Sequence, residues 1–173
     1  MTKSEAVILI REGITPYDQP QHWADLGCGT GLFTEALAEL LPAQSHIIAV
    51  DVNQQYLPDQ MGNQVTVQFQ KADFVATDIA AASLDGILMA NALHFVKDKK
   101  ALIQKLEQQI IDSARFLIIE YDHSTPNQWE PYPLPFAAME KLFHQLGYQK
   151  IEKIGERQSL YGGKMFAAVI SKN

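Results

Sequence analysis

The stretch that decides the fold is Ala-Asp-Leu-Gly-Cys-Gly-Thr-Gly, residues 24–31. Apolar residues lead into three alternating glycines, and an amphipathic helix pattern follows directly. Glycine permits a tight turn between a strand and a helix, and its missing side chain lets a ligand lie against the backbone. The start of the helix adds unpaired N–H groups and the positive end of the helix dipole. The stretch therefore predicts a ligand-binding turn after the first β-strand.

A second signal is the acidic residue Asp51, which comes 20 residues after Gly31 and ends the apolar run 47–50. In α/β folds that bind nucleotides, an acidic residue at the tip of the second strand binds the ribose hydroxyls. Asp51 is therefore predicted to bind a ribose. The alternative is a polar turn residue at a strand end.

The glycine spacing distinguishes two classes of nucleotide-like ligand. Folds that bind dinucleotides use G-x-G-x-x-G, with the pyrophosphate at the helix N-terminus. Here the spacing is G-x-G-x-G, and the carboxylate of Asp25 precedes it. A carboxylate beside the turn repels pyrophosphate and favours a ligand that carries an ammonium group. A nicotinamide-dependent oxidoreductase is therefore disfavoured.

With these features, residues 24–31 resemble the first motif of the class I S-adenosylmethionine (SAM)-dependent methyltransferases, small single-domain members of the type 11/12 kind. The resemblance extends from about residue 20 to the end of the chain. It implies that Asp51 accepts hydrogen bonds from both ribose hydroxyls and that Asp25 lies near the ammonium group of SAM, through water. It also implies that three glycines border the methionyl part of SAM: Gly27, Gly29 and Gly31.

Three later segments carry further contacts that the resemblance implies. Residues 71–74, Lys-Ala-Asp-Phe, look like the third motif of the family. Asp73 would accept from the adenine amine and Phe74 would lie beside the ring, whereas the alternatives are a loop aspartate and a core phenylalanine. Val52 would supply an apolar wall, and Asn91 would contact the cofactor after the fourth strand.

The residue that acts on the methyl acceptor is left open at this point. Transfer from a sulfonium is an in-line displacement that alignment alone accelerates, and a base is needed only when the acceptor must lose a proton. The candidates for such a base or for acceptor contact are His94, His123 and Tyr121, and also Glu120 and Asp122. The alternative for each histidine is an ordinary polar role. A metal site is not expected.

Composition limits the remaining function classes. The 173 residues are 47% hydrophobic and 20% charged, which predicts one globular domain spanning 1–173, with an N-terminal helix and a possible lid segment in 1–20. A net charge of −6 makes nucleic acid an unfavourable partner. The single cysteine, Cys28, is interpreted as a small turn residue, and the chain has no long apolar span. We expect a cytoplasmic monomer or homodimer that does not enter membranes.

Alternation of strand and helix patterns predicts an α/β fold, a doubly wound Rossmann-like sheet with helices on both faces. The resemblance implies seven strands in the order 3-2-1-4-5-7-6, with strand seven antiparallel. The predicted strands cover 22–26, 46–50, 65–69, 84–90, 115–120, 148–154 and 165–171. The predicted helices cover 4–14 with Ser4 as cap, 31–41, a short piece at 53–57, 98–111, and one that begins near Pro135.

The implied function is transfer of a methyl group from SAM to a small-molecule acceptor. The chain is close to a minimal core, so we expect the acceptor pocket to come from the N-terminal segment and from the loop 121–134. Tyr17, Trp129 and Tyr132 lie on segments that would form a lid or simply pack on the surface. The alternative is a regulatory or partner protein that binds SAM without turnover.

Overall fold

A single mixed sheet organises the computed structural model, which describes residues 1–14, 18–81, 83–158 and 163–172. Within those residues the sheet has eight strands. They are β1 (His22–Leu26), β2 (His46–Asp51), β3 (Gln60–Met61), β4 (Val65–Lys71), β5 (Leu84–Ala90), β6 (Ile110–Tyr121), β7 (Lys150–Gln158) and β8 (Lys164–Ser171). The α-helices are α1 (Lys3–Ile10), α2 (Leu32–Leu40), α3 (Lys99–Leu106) and α4 (Phe136–Gln145).

The strand order is β3-β4-β2-β1-β5-β6-β8-β7. Five strands, from β4 to β6, are parallel, whereas β8 pairs antiparallel with both β6 and β7. Without the two-residue strand β3, this is the order implied by the resemblance. The difference is β3 itself, which pairs antiparallel with the start of β4 at the sheet edge. The α/β fold is thus confirmed, with one strand more than expected.

Helices cover both faces of the sheet, as predicted. On one face α1 and α2 pack against apolar side chains such as Trp23 and Leu117, and on the other face α3 and α4 pack against residues such as Ile87 and Phe116. Successive strand residues point to opposite faces, so both faces bury apolar side chains. The ends of the strands remain as the places where polar groups collect.

Three boundary predictions were wrong for local reasons. Helix α1 begins one residue earlier than expected, and its cap is Thr2, whose side chain pairs with Glu5 in a capping box. No helix forms at 53–57, since Asp51 accepts from the Asn53 amide in an Asx turn. The helix predicted at 98–111 ends at Leu106, because residues from 110 onward already belong to β6.

The last residues of the expected lid segment lie at the wrong end of the sheet. The Gln21 amide donates to the Ser45 hydroxyl at 2.9 Å, and the His46 amide donates to the Gln21 carbonyl at 2.8 Å. Residues 18–21 therefore run along the amino ends of the strands, opposite the glycine turn, because the chain must enter β1 from that side. Tyr17 lies outside the described residues.

In the described part of the chain, none of the helices has the length and apolar character needed to cross a membrane.

Gly86 on β5 is the site of a stability prediction. Its missing side chain makes room for the fully buried ring of Trp23, and a Cβ atom there would lie 2.4 Å from the ring. Gly86→Ala should therefore lower the free energy of unfolding by about 3 kcal/mol, the upper range for overpacking a core. Denaturant unfolding measures the change, and an unchanged midpoint would contradict this packing.

Candidate active site

The glycine turn is attached to the neighbouring strand by its own backbone. The amides of Gly27 and Cys28 both donate to the Val50 carbonyl, at 2.8 and 3.0 Å. The three glycines have positive φ angles of 78°, 50° and 88°, a region that favours glycine. The turn therefore takes the shape that the sequence predicted and is fixed against the carboxyl end of β2.

The three glycines differ in what their missing side chains leave space for. A Cβ at Gly27 would lie 2.6 Å from the Cβ of Ala92, and one at Gly31 would lie 2.7 Å from the Leu57 side chain. A Cβ at Gly29 would meet no described atom within 4 Å. Two glycines thus allow close packing inside the protein, and Gly29 presents bare backbone to open space.

Asp51 lies where the sequence placed it, at the tip of β2 beside this turn. Its Oδ2 accepts from the Gly29 amide at 2.9 Å, and its Oδ1 accepts from the Asn53 amide at 2.8 Å. The residue is 9% exposed. Each carboxylate oxygen can accept a second hydrogen bond, so the group can still bind a diol.

Asp25 is buried beneath the turn, with 1% of its surface exposed. Its Oδ2 accepts from the Thr34 hydroxyl at 2.6 Å, whereas Oδ1 has no hydrogen-bond partner among the described residues. Burial, together with the nearby charge of Asp51, raises the pKa of Asp25 to about 7, despite the Thr34 hydrogen bond. A cationic ligand group near Oδ1 would stabilise the ionised form. The role of Thr34 was not predicted from the sequence.

Asn91 adds a second buried oxygen without a partner. It follows β5 with a positive φ of 53°, its amide donates to the Ile119 carbonyl, and its side-chain Oδ1 has no partner within the described ranges. Its neighbour Ala92 packs against Gly27. The ends of β1 and β5 therefore meet, and each carries an unsatisfied acceptor, which is a costly arrangement without a ligand or water.

The predicted adenine contacts lie on the loops after β2 and β4. Val52 follows Asp51 directly and is 55% exposed, an apolar side chain open to a ligand. Asp73 accepts from the Val75 amide through Oδ1 at 2.8 Å, and the residue is exposed. Phe74 is buried and packs near Gly27. The adenine roles of these residues stay predictions.

His94 forms a buried pair that the sequence did not reveal. Its Nδ1 lies 2.6 Å from Oε2 of Glu120, the last buried residue of β6, and both side chains are almost inaccessible. Oε1 of Glu120 accepts from the Leu93 and His94 amides at 2.8 and 3.1 Å. The one signal in the sequence was a carboxylate that directly follows the apolar run 116–119.

A second histidine–carboxylate pair lies further out on the same edge. His123 Nε2 is 2.6 Å from Oε2 of Glu130, and the His123 side chain is about one-third exposed. The ring of Tyr121 stands between the two histidines, 6.4 Å from the His94 ring and 6.3 Å from the His123 ring. The fold therefore brings His94, Tyr121 and His123 together at the end of β6.

The loop 121–134 is attached to the turn that carries His94. The Tyr132 amide donates to the His94 carbonyl at 3.0 Å. Lys99 donates from Nζ to the carbonyls of Tyr132 and Val96, at 2.7 and 2.8 Å. Trp129 on the same loop is 70% exposed. The loop thus lies against the turn that carries His94, with aromatic side chains at its surface.

Cys28 is buried in the turn and donates from Sγ to the Gly29 carbonyl at 3.6 Å. Burial and the charges of Asp25 and Asp51 raise the pKa of this thiol. It therefore remains protonated at neutral pH, unlike a catalytic thiolate. Among the described residues, no group of three or more histidine, cysteine, aspartate or glutamate side chains converges as a metal site would require.

Comparison with known proteins identifies the family of this chain. The family model described as "Methyltransferase domain" matches residues 24–110, half of the chain. The chain belongs to this methyltransferase domain family. A relative, the O-methyltransferase cnsE of Penicillium expansum, is 27% identical over a 157-residue alignment that covers 82% of this chain. This methyltransferase domain spans 57% of the length of that relative.

Solved structures have the same fold at low identity. A SAM-dependent methyltransferase from Archaeoglobus fulgidus superposes with a TM-score of 0.71 at 15% identity, covering 98% of this methyltransferase domain and 94% of that chain. The 1,6-didemethyltoxoflavin-N1-methyltransferase of Burkholderia thailandensis, solved with its substrate and S-adenosylhomocysteine, superposes with a TM-score of 0.69 at 17% identity, covering 97% and 76%. At these identities the likeness establishes the fold.

Proposed function

We propose that this domain transfers a methyl group from SAM to a small-molecule acceptor. One observation carries the proposal: a bare glycine turn, the Asp51 carboxylate and two buried oxygens without partners among the described residues lie together at the carboxyl ends of β1, β2 and β5. Ligands of open α/β sheets bind at this edge, where the strand order reverses. Here it reverses between β1 and β5.

The residues present fit SAM part by part. Asp51 would hold the ribose diol, and Gly29 offers backbone that a side chain would otherwise cover. Oδ1 of Asp25 and Oδ1 of Asn91 are the acceptors that an ammonium group would satisfy. Val52 would face the adenine from the end of β2. A pyrophosphate would instead meet the carboxylates of Asp25 and Asp51.

When bound, SAM supplies a methyl group on a sulfonium, which is already a good leaving group. The protein then has to hold the two reactants close and aligned, and to exclude water. The glycine turn and Asp51 fix one reactant, because both are anchored to β2 by backbone hydrogen bonds. The turn 91–95 and the loop 121–134 border the other side.

The relatives support methyl transfer but differ in the acceptor atom. The Penicillium expansum relative is named an O-methyltransferase, and the Burkholderia thailandensis enzyme methylates a ring nitrogen by its name. The acceptor atom must therefore be argued from this chain's own residues.

Calorimetry and a turnover assay test the proposal together. We expect the protein to bind SAM and S-adenosylhomocysteine and not NAD. We then expect methyl transfer from labelled SAM to at least one member of a panel of phenols, amines, thiols and carboxylates. Failure to bind SAM would overturn the proposal. Tight SAM binding without turnover on the panel would favour the regulatory SAM-binding protein.

Asp25 leads to a prediction about pH. Its raised pKa means that the folded protein keeps this proton between about pH 4 and 7 while the unfolded chain loses it, so stability falls as pH rises through that window. An ammonium group at Oδ1 would displace the proton. SAM binding at pH 6 should therefore release close to one proton, and release should disappear above about pH 8. Calorimetry in buffers of different ionisation enthalpy measures this.

Asp25→Asn is the matched control for proton release. Its amide oxygen can still accept from the Thr34 hydroxyl, but the side chain cannot ionise. Proton release at pH 6 should therefore be lost in this variant. Equal release from the variant and the natural protein would mean that another group titrates and that Asp25 is not the partner of the ammonium group.

A further inference from the structure

The place of the methyl acceptor follows from the strand order. The groups assigned to SAM stand at the ends of β2, β1 and β5, which are consecutive strands of the sheet. The next strand along is β6, about 5 Å further on. An acceptor that approaches the methyl group from beyond Asn91 therefore meets the end of β6. Two of the polar side chains there are those of Glu120 and His94, which pair with each other.

Glu120 fixes the orientation of His94 in two ways. One carboxylate oxygen lies within hydrogen-bond distance, 2.6 Å, of the imidazole Nδ1. The other accepts hydrogen bonds from the Leu93 and His94 amides. With Glu120 ionised, Nδ1 must donate, so the proton of the neutral ring lies on Nδ1 and Nε2 is left as an acceptor. No described residue forms a hydrogen bond with Nε2. The pair thus has the two parts of a general base: an imidazole nitrogen and a carboxylate that selects its tautomer.

We propose that His94 is the catalytic base of this methyltransferase, that Glu120 is its positioning residue, and that the acceptor is an aromatic hydroxyl compound. The proposal rests on the SAM-dependent activity proposed above and deepens it. It assigns the acceptor atom, oxygen, and the chemical class, a phenol.

The step balances as follows. The phenol O–H proton passes to Nε2 of His94 as an oxygen lone pair forms the new O–CH₃ bond. The C–S bond breaks, its electron pair remains on sulfur, and the neutral thioether S-adenosylhomocysteine leaves. The imidazolium then returns its proton to solvent. No oxidant, reductant or metal is required.

Two observations favour a phenol over an aliphatic alcohol. An imidazole has an ordinary pKa near 6.5 and a phenol near 10, a gap that a positioned base can bridge, whereas the pKa of an alkanol is near that of water, about 16. The surroundings are also aromatic: the Phe95 ring lies 4.4 Å from the His94 ring and is 58% exposed, and Tyr132 contacts the His94 backbone. A flat ring would find stacking partners beside the base.

The tautomer can be read without cofactor or substrate. In the Glu120→Gln variant the side-chain oxygen can still accept from the Leu93 and His94 amides, but its NH₂ group donates to Nδ1 and moves the ring proton to Nε2. Nitrogen NMR of labelled histidine should show His94 protonated on Nδ1 in the natural protein and on Nε2 in this variant. An unprotonated Nδ1 in the natural protein would overturn the proposal.

Turnover gives the second readout. With labelled SAM and 4-substituted phenols, from phenol to 4-nitrophenol, Glu120→Gln and His94→Gln should lower kcat by about 10² to 10⁴, while SAM binding changes less than threefold. The loss should be smallest for the most acidic phenol and should shrink as pH rises, because phenolate needs no base. The other ionisable groups near the pair are Tyr121 on β6 and Lys99 on α3.

His22→Gln is the matched control, since it removes an exposed histidine at the amino end of β1, away from the glycine turn and from His94. It should leave kcat within about threefold. A large loss in His123→Gln with none in His94→Gln would overturn the assignment, and so would methylation of amines or alkanols but not phenols. If one His94 or Glu120 variant fails to fold, the other carries the test. Absence of SAM binding in the natural protein would instead overturn the proposed function itself.

Discussion

Replacing Asp51 by alanine should weaken SAM binding by at least about a hundredfold. The carboxylate is the one group at the tip of β2 that can accept from both ribose hydroxyls, and hydrogen bonds to a charged acceptor contribute about 1.5–3 kcal/mol each. Truncation also leaves the Gly29 and Asn53 amides without their acceptor. Titration calorimetry with SAM and with S-adenosylhomocysteine measures the loss, which should be equal for both because they share the ribose.

Two further variants isolate the ribose contact. Asp112→Ala makes the same chemical change at an exposed position near the start of β6, at the opposite edge of the sheet, and should leave binding unchanged. Asp51→Asn keeps the shape but removes the charge, so its affinity should fall between those of the natural protein and Asp51→Ala. Indifference of SAM binding to Asp51→Ala would refute the ribose assignment.

Replacing Gly29 by alanine should separate ligand binding from folding. The added Cβ would meet no described atom within 4 Å, so the cost to stability should be about 1 kcal/mol, from the left-handed backbone alone. The same methyl group would cover the bare backbone where a ligand is expected. SAM affinity should therefore fall at least tenfold, roughly the cost of losing close backbone contact.

Gly147→Ala is the control for Gly29→Ala. Gly147 also has a positive φ, and a Cβ there also meets no described atom within 4 Å, but it follows helix α4, away from the glycine turn. The two variants should unfold at similar denaturant concentrations, and only Gly29→Ala should lose SAM affinity. Equal affinities for SAM would mean that the ligand does not lie against Gly29.

The sequence predicted the parallel core because the signals there are local. Apolar runs of strand length, the glycine turn and the distance to Asp51 are each contained in short windows, and β1, β5 and the end of β2 lie where those windows placed them. Helix ends were less accurate. The N-cap at Thr2 depends on side-chain hydrogen bonds that other polar residues nearby could have made, and the early start of β6 depends on the pairing of Ile110 with Leu84 of the neighbouring strand.

Pairs of side chains that are distant in sequence could not be predicted. His94 and Glu120 are separated by 26 positions, and the Asp25–Thr34 hydrogen bond joins a strand to the helix after it. From the sequence alone, a carboxylate at a strand end is expected to be exposed to solvent. Its burial becomes visible only when the neighbouring strand and turn are known. The burial that raises the pKa of Asp25 is likewise a property of the packed helix α2 and not of the motif.

The two amides that hold Asp51 have a consequence for selectivity. Because Gly29 and Asn53 lock its rotamer in the protein alone, the carboxylate is preorganised and loses little side-chain entropy when a nucleoside arrives. The same two hydrogen bonds prevent the Asp51 side chain from changing rotamer. A phosphate ester on either ribose hydroxyl would be repelled by the fixed negative charge of Asp51. The protein should therefore bind adenosines that are phosphorylated on the ribose diol more weakly than unmodified ones, whatever the rest of the ligand.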